Sequence, residues 1–449
     1  MTGFADRRLH MVGIGGAGMS ALAVVAYAWG ADVSGCDRTP SEYSLRLRRF
    51  GIDVSEGHDR GHLEPGMEVV VTSAVPDELD ELAAASELGL RVLHRGELLA
   101  ELVAERRSIC VAGAHGKTTT TAMIAFAADR IGLDPTWLVG GEVPQLGGNA
   151  GPGGGDLLIA EGDESDGSCA LLRPRVAVVT NVDLDHHARY ASVHDVERLF
   201  AEWVAHAPSD GAVVLGDGVA LPAGAAPVVR FGFDEGADWH ISGFHSGPEG
   251  SRFWLSVPDE LPVDVTLRVP GAHNARNAAG AIAALAAAGA SAADAAAALA
   301  EFTGVGRRFE VRGRVAGATV VDDYAHNPAK VAAVIDAART HAPARVVVCF
   351  QPHLFSRTAA SAHEFGGALA GADEVVVTEI YAARERPQPG VTAKLVVDAL
   401  AERRPGMPLA YMPGLGDAAA YLRGRVREGD LVLTVGAGDV RSVGDELLR

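Results

Sequence analysis

The chain has 449 residues, 48% hydrophobic and 22% charged, an ordinary water-soluble composition and too long for one hydrophobic core, so about three domains of about 150 residues are expected. With 39 Lys and Arg against 58 Asp and Glu the formal charge is −19, which argues against a nucleic-acid surface; binding an anionic nucleotide then requires local positive sites and Mg²⁺. No apolar run approaches the roughly 20 residues that span a bilayer, and the start lacks a signal peptide's apolar core, so a cytoplasmic protein with no membrane partner is expected.

Strand and helix signals alternate in three blocks, 1–106, 107–308 and 309–449, which predicts a three-domain α/β protein. The first block opens with an apolar strand, then Gly13, Gly15 and Gly18 in GxGxxG order, a helix of small residues to Gly30, and a strand ending at Asp37. Read alone, this fingerprint predicts a Rossmann-like domain binding NAD, yet the same physics serves any ligand with a diphosphate and a sugar. A tight helix–strand packing turn is the bland alternative. Val69 to Ser73 is another short apolar strand with a polar end.

The second block starts with the apolar strand Ser108 to Ala112 and continues as Gly113-Ala114-His115-Gly116-Lys117-Thr118-Thr119 into a helix. Glycines let the backbone turn and aim its N–H groups at a polyanion, the helix N-terminus adds positive potential, Lys117 can reach terminal phosphates, and Thr118 can ligate Mg²⁺. This predicts a P-loop ATP site in a mainly parallel sheet, with two fewer residues between first glycine and Gly-Lys than the general motif. A glycine-rich turn beside a solvated lysine is the alternative. Two later strands end at Glu161 and Asn181, followed by Asp163-Glu164-Ser165-Asp166 and Asp185-His186-His187. Carboxylate and imidazole there can bind Mg²⁺, with Glu161 the better ligand because it directly ends its strand; Asp163 and Asp166 can equally be solvated. The run 147–155 is too glycine-rich for an element interior and is expected to be a mobile loop. From Val228 to Val269, shorter alternating runs suggest antiparallel strands. Ala-rich helices follow, opened by His273-Asn274-Ala-Arg-Asn277, where Asn274 can be a helix cap instead of a ligand contact.

The third block reads as a small doubly wound, Rossmann-like sheet. Arg307 and Arg308, at the junction of the second and third blocks, can clamp phosphate across domains. Asp322-Asp323-Tyr324-Ala-His326 ends one strand, and His353-Leu-Phe-Ser-Arg357 follows another. The four cysteines are scattered without metal-type spacing, and Cys110 and Cys349 lie in apolar strand-like runs, so buried reduced thiols are expected.

Nine motifs in order, GIGGAGMS, GAHGKTTTT, AEGDESD, TNVDLDH, GAHNARNA, DDYAHNP, QPHLFSR, EIYAARE and GAGD, resemble the Mur ligase family over nearly the whole chain, in its alanine-adding class. The resemblance implies a UDP-sugar-binding domain, a central ATPase domain and a C-terminal amino-acid-binding domain. It implies that ATP phosphorylates the lactoyl carboxylate of UDP-N-acetylmuramate and that L-alanine attacks the acyl phosphate, a step of peptidoglycan biosynthesis. Carried over by position, Lys117 would bind the γ-phosphate; Thr118, Glu161 and His186 would hold Mg²⁺; His273, Asn274 and Asn277 would contact ATP. Arg308, Asp323, Tyr324 and His326 would reach the nucleotide, while His353, Arg357 and Arg384 would position alanine and the reacting carboxylate. Gly15, Gly16, Ala17, Gly18, Met19 and Ser20, with Asp37, Ser73 and Arg95, would hold the UDP-sugar. A monomer or weak homodimer is expected. Ala188 departs from the family pattern, in which many members carry aspartate two residues after the metal histidine. The related tripeptide-recycling ligase carries a different first glycine motif, and an NAD-dependent oxidoreductase would leave the Lys117 loop unexplained.

Overall fold

The computed structural model describes residues 3–449 except 74, 77, 185–188, 223, 248 and 384. The chain divides into two compact units, Met1–Val305 and Gly306–Arg449.

The first unit contains two sheets. Its N-terminal sheet has five parallel strands, β1 (Arg8–Val12), β2 (Asp32–Asp37), β3 (Asp53–Glu56), β4 (Glu68–Val71) and β5 (Arg91–His94), in the order β3-β2-β1-β4-β5. Helices cover this parallel sheet, so β1 is buried from Leu9 to Val12, His10 included. The strand order reverses at β1, where a doubly wound sheet leaves a crevice for ligands, and the glycine loop 13–16 emerges there.

The second sheet has ten strands: β6 (Arg107–Ala112), β7 (Thr136–Val143), β8 (Gly148–Pro152), β9 (Leu157–Glu161), β10 (Val176–Val179), β11 (Ala212–Gly216), β12 (Val228–Gly232), β13 (Trp239–Gly247), β14 (Gly250–Leu255) and β15 (Val263–Leu267). Their order is β15-β14-β13-β12-β11-β10-β6-β9-β7-β8. The stretch from β7 through β9, β6, β10, β11 and β12 to β13 is parallel, whereas β8, β14 and β15 pair antiparallel at the edges. The antiparallel region is therefore smaller than the sequence suggests, because β12 joins the parallel core on both sides. Here the reversal falls at β6, which lies between β9 and β10, so the chain ends after these three strands converge on one crevice.

The glycine-rich run expected as a loop is instead β8 with its flanks, paired to β7. Its glycines meet a steric need. A Cβ on Gly151 would run into the Trp137 ring, and one on Gly148 would occupy the Arg46 guanidinium. The strand lies against the helix Ala17–Ala28, where Asn149 Nδ2 donates to Ala17 O at 2.7 Å. Both sheets share one apolar cluster that includes Leu9, Met19, Leu98 and Leu102 on one side and Leu138, Ala150 and Trp203 on the other.

The second unit has six strands, β16 (Glu310–Val315), β17 (Ala318–Asp323), β18 (Arg345–Phe350), β19 (Glu374–Val377), β20 (Leu409–Tyr411) and β21 (Asp430–Val435), ordered β16-β17-β21-β18-β19-β20. All neighbours are parallel except β16 against β17. The four cysteines are buried and unbridged, and among the described residues no helix is long and apolar enough to cross a membrane.

Candidate functional site

The loop between β6 and the helix Lys117–Arg130 is braced from several sides. Gly113 and Gly116 have φ of 135° and 80°, the left-handed region where side-chain-bearing residues are strained. Each is also crowded: a Cβ on Gly113 would strike the Thr180 hydroxyl, and one on Gly116 would lie 2.5 Å from Asn277 Oδ1. The residues after β10 hold the loop's outer turn. His115 N donates to Asn181 Oδ1 at 2.9 Å, while Thr180 Oγ1 and Asn181 Nδ2 donate to His115 O at 2.6 and 2.8 Å. The backbone is thus fixed by side chains that leave the N-terminus of the helix open. Thr119 sits half-buried in that first turn.

Lys117 Nζ donates to Gly113 O at 2.6 Å and to Glu164 Oε1 at 2.8 Å. Burial works against its charge, but Glu164 and Glu161 outweigh that and hold its pKa above the ordinary lysine value. Lys117 is therefore a fixed ammonium at neutral pH. Thr118 Oγ1 donates to Glu161 Oε1 at 3.0 Å, and Glu161 Oε2 accepts from Gly140 N at 2.8 Å. A hydroxyl and a carboxylate side by side at a helix N-terminus form an all-oxygen donor set, the chemistry that suits Mg²⁺. His186, the third expected ligand, and Ala188 lie outside the described residues.

The acidic run after β9 divides its work. Glu164 faces Lys117, whereas Asp163 and Asp166 both accept from Arg95 Nη2, the latter at 2.7 Å. These two aspartates are paired rather than merely solvated. Burial raises the Asp163 pKa, but the Arg95 charge together with hydrogen bonds from Ser165 and the Lys117 charge outweighs it and leaves the group below its usual value. Arg95 starts the helix Arg95–Ala104 after β5, and its Nη1 would lie 3.4 Å from a Cβ on Gly18. One guanidinium thus touches the acidic loop of the second sheet and the glycine helix of the first.

At the N-terminal sheet, Gly15 N donates to Asp37 Oδ2 at 2.9 Å and Gly15 O accepts from Ser41 Oγ at 2.9 Å. Gly16 is exposed at the helix N-cap, and Ala17 and Gly18 are half-buried behind it. Met19 and Ser20 are buried instead, Met19 in the shared apolar cluster and Ser20 bonded to Ala17 O and to Asn149. Ser73 is exposed two residues beyond β4. In the helix Ala272–Ala287, Asn277 accepts from Thr120 Oγ1 at 3.3 Å behind the phosphate loop, and His273 is exposed at the start. Gly271 occupies the cap, so Asn274 is not the capping residue; its Nδ2 donates to Pro270 O.

In the second unit, Tyr324, His326, His353 and Arg357 come together beyond the ends of β17 and β18. His326 meets the Tyr324 ring edge-on at 5.4 Å and the His353 ring at 6.0 Å, and His353 stacks on Tyr381 at 5.8 Å. Arg357 Nη1 donates to His353 Nδ1 at 3.2 Å. Arg308 is exposed, with its guanidinium 5.5 Å from the Tyr324 ring centre. Asp323 differs from expectation: it is buried, its oxygens accept from Phe309 N and Ala325 N, and burial raises its pKa against the pull of Arg308. It shapes the turn that presents Tyr324 rather than facing outward. Arg384 lies outside the described residues.

Sequence reasoning does not single out Thr180, Asn181 or Tyr381 as site residues, nor Glu164 as the partner of Lys117. All four fall inside or beside quoted motifs at strand ends, the signal that could have found them.

Three family descriptions match in order: "Mur ligase family, catalytic domain" over residues 8–107, "Mur ligase middle domain" over 111–285 and "Mur ligase, glutamate ligase domain" over 307–438. The UDP-N-acetylmuramate–L-alanine ligase of Kineococcus radiotolerans is 46% identical, covering 98% of this chain and 96% of the relative. That of Acidithiobacillus ferrooxidans is 42% identical over 97% and 96%. Among solved structures, the UDP-N-acetylmuramate-alanine ligase MurC of Thermotoga maritima superimposes with a TM-score of 0.84 at 28% identity, covering 98% of each chain. The murein peptide ligase of Psychrobacter arcticus shares the fold, with a TM-score of 0.75 at 24% identity over 99% and 98%. The chain belongs to the Mur ligase family.

Proposed function

We propose that this chain joins L-alanine to the lactoyl carboxylate of UDP-N-acetylmuramate with hydrolysis of ATP to ADP and phosphate, a cytoplasmic step of peptidoglycan synthesis. The observation that carries the reading is identity above 40% over nearly the full length to several ligases of that name. The geometry supports it. A braced phosphate loop with a charged lysine and a glycine loop at a helix N-terminus lie in one compact unit, linked through Arg95.

A carboxylate is a poor electrophile because its negative charge repels an amine and oxide is a poor leaving group. Transfer of the γ-phosphoryl group to a carboxylate oxygen breaks the terminal P–O bond of ATP and forms an acyl phosphate. Lys117 and the loop N–H groups neutralise charge on the moving phosphoryl oxygens. Thr118 and Glu161, with His186 by resemblance, would hold Mg²⁺, which when bound neutralises further phosphate charge. Alanine's free amine then attacks the acyl carbon, a tetrahedral intermediate forms, and phosphate leaves as the C–N bond is completed and the amine loses its proton. We assign His353, Arg357 and Arg384 to alanine and the reacting carboxylate, and Arg308, Tyr324 and His326 to the nucleotide. Gly15, Gly16, Ala17, Gly18, Asp37, Ser73 and Arg95 hold the UDP-sugar, with Met19 and Ser20 supporting the loop from beneath.

Phosphate release with UDP-N-acetylmuramate and ATP, offering L-alanine, glycine, L-serine or tripeptide in parallel, tests this reading. Fastest turnover with L-alanine is expected; exclusive use of tripeptide would replace the proposal with the recycling activity.

A further inference from the structure

Behind the first glycine loop lies a cluster that the ligase chemistry does not use. His10 on β1, Cys36 on β2, His62 in the short turn Arg60–His62 and Glu81 on the helix Asp80–Glu87 converge, each offering one ligand atom, all within 4.8 Å of one another. His62 Nδ1 is 2.7 Å from Glu81 Oε1, Cys36 Sγ is 3.2 Å from the same oxygen, and His10 Nε2 is 3.9 Å from it. His58 stands beside them, its Nδ1 3.0 Å from Glu81 Oε2 and 3.3 Å from Cys36 Sγ.

Hydrogen bonding alone accounts for part of this arrangement. Glu81 is fully buried, and His58, His62, the Cys36 thiol and Asp59 N satisfy its carboxylate. It does not account for His10. That side chain is 2% exposed, its Nδ1 is engaged with Ser34 Oγ at 3.0 Å, and its Nε2 is buried with no hydrogen-bond partner among the described residues. A buried ring nitrogen without a partner is costly. In the tautomer whose Nδ1 donates to Ser34, Nε2 turns a lone pair into the cluster, the arrangement in which an outer hydrogen bond fixes the tautomer of a metal-binding histidine.

We propose that His10, Cys36, His62 and Glu81 form a binding site for a zinc-class divalent transition metal ion in the N-terminal domain. A thiolate, two imidazoles and a carboxylate make a four-donor set of mixed S, N and O character, which selects Zn²⁺ or Co²⁺ over Mg²⁺. Bond lengths of about 2.0 to 2.3 Å place tetrahedral ligand atoms about 3.3 to 3.8 Å apart. The separations here bracket that range. On binding, Cys36 Sγ exchanges its proton for the metal, the proton passing to solvent; His62 moves its Nδ1 proton to Nε2 so that Nδ1 can ligate, while His10 Nε2 and the Glu81 carboxylate bind through lone pairs. His58 is left as the outer partner of Glu81, and His58 and His62, each about a fifth exposed, offer the route in. Cys36 O accepts from Gly13 N and Ile14 N, so the ion would tie β1, β2, the 58–62 turn and the 80–87 helix together beneath the glycine loop.

The full chain is stripped with chelator and titrated with Co²⁺ in the presence of excess Mg²⁺, then with Zn²⁺. One Co²⁺ per chain with a near-ultraviolet thiolate-to-cobalt charge-transfer band is expected, displaced by one Zn²⁺, and a zinc-dependent rise in Tm. Cys36→Ser removes the band, and His62→Gln weakens Zn²⁺ binding at least about tenfold. Absence of the band in the unmodified chain, or its persistence in Cys36→Ser, overturns the proposal. Should Cys36→Ser fail to fold by circular dichroism, the unmodified chain and His62→Gln decide; unchanged Zn²⁺ affinity in the latter also overturns it.

Discussion

The two glycine loops of the first unit share a plan, strand to loop to helix N-terminus at the reversal of a parallel sheet, yet they are braced in opposite ways. The loop after β1 is held by a carboxylate, Asp37 accepting from Gly15 N, and its helix begins with Ala17 and Gly18 and no cation. The loop after β6 is held by the neutral groups of Thr180 and Asn181, and its helix begins with Lys117 facing Glu164. A carboxylate at the strand end repels a polyphosphate but accepts from hydroxyls, so the first loop suits a diphosphate seated on helix amides beside a sugar. A lysine ringed by carboxylates suits a phosphate that departs. The helix terminus attracts anions in both; the neighbouring side chain decides what is done with them.

The largest effect expected from breaking this contrast is at Lys117. Lys117→Ala lowers ligase turnover by about 10³-fold or more, since it removes a donor at the site of developing charge, and leaves UDP-sugar binding unchanged by calorimetry. It also removes the ammonium that faces the buried Glu164 carboxylate, a loss of about 3 to 5 kcal/mol. Lys117→Ala with Glu164→Gln therefore recovers Tm but not turnover. Recovery of turnover in the double variant would show that the lysine's role is structural.

Asp37 is the counterpart. Asp37→Ala removes the charged acceptor of Gly15 N, worth about 1.5 to 3 kcal/mol, and weakens UDP-sugar binding about tenfold or more while ATP binding is retained. Equal losses for both ligands would merge the two loops into one functional unit.

Much of this architecture is legible in the amino-acid sequence. Strands such as Arg345–Phe350 and Asp430–Val435 follow from unbroken apolar runs, because parallel strands buried on both faces need them. Both loops follow from glycine spacing at strand ends. The strand β8 is hidden because its glycines answer to Trp137, Arg46 and the backbone of 133–135, none of which spacing can bring together. The edge strand Glu310–Val315 is hidden by its charged, half-exposed residues. In the site, Asp163 and Asp166 read equally well as solvated or bound until the fold sets Arg95 between them. Asp323 reads as a ligand by motif, yet its burial beneath Phe309 and Ala325 makes it a brace. The Gly13–Gly18 fingerprint fits a dinucleotide as well as a UDP-sugar; only membership of the family separates them.

Arg95 joins the surroundings of the two loops, bonding Asp163 and Asp166 while lying against Gly18. Arg95→Ala lowers stability by about 1 to 2 kcal/mol near neutral pH, a modest figure because the pair is partly solvated. The folded-state pKa of Asp163 lies below its ordinary value of 3.8, so its contribution is present above that pH and fades as pH falls through the depressed value. The stability gap between the natural chain and Arg95→Ala should therefore stay constant from pH 7 to about 5 and begin to narrow only below about 4 in urea titrations. A gap that widened in acid would remove the ion pair as its cause.

Gly16→Ala carries the smallest expected change in stability and tests the first loop most directly. Gly16 has φ of −77°, and its added Cβ would meet only Gly13 O at 3.5 Å, an ordinary contact, in contrast to the strained and crowded Gly113 and Gly116. The fold should thus tolerate the methyl group, at a cost of about 0.5 to 1 kcal/mol for replacing glycine at a helix cap. Any further loss must come from the ligand. If a diphosphate closes on the exposed amides at this helix terminus, the methyl group stands in its path, and UDP-sugar affinity falls severalfold with Tm nearly constant. Unchanged affinity would mean that the diphosphate sits elsewhere, leaving Asp37 and Arg95 to recognise the sugar without the loop.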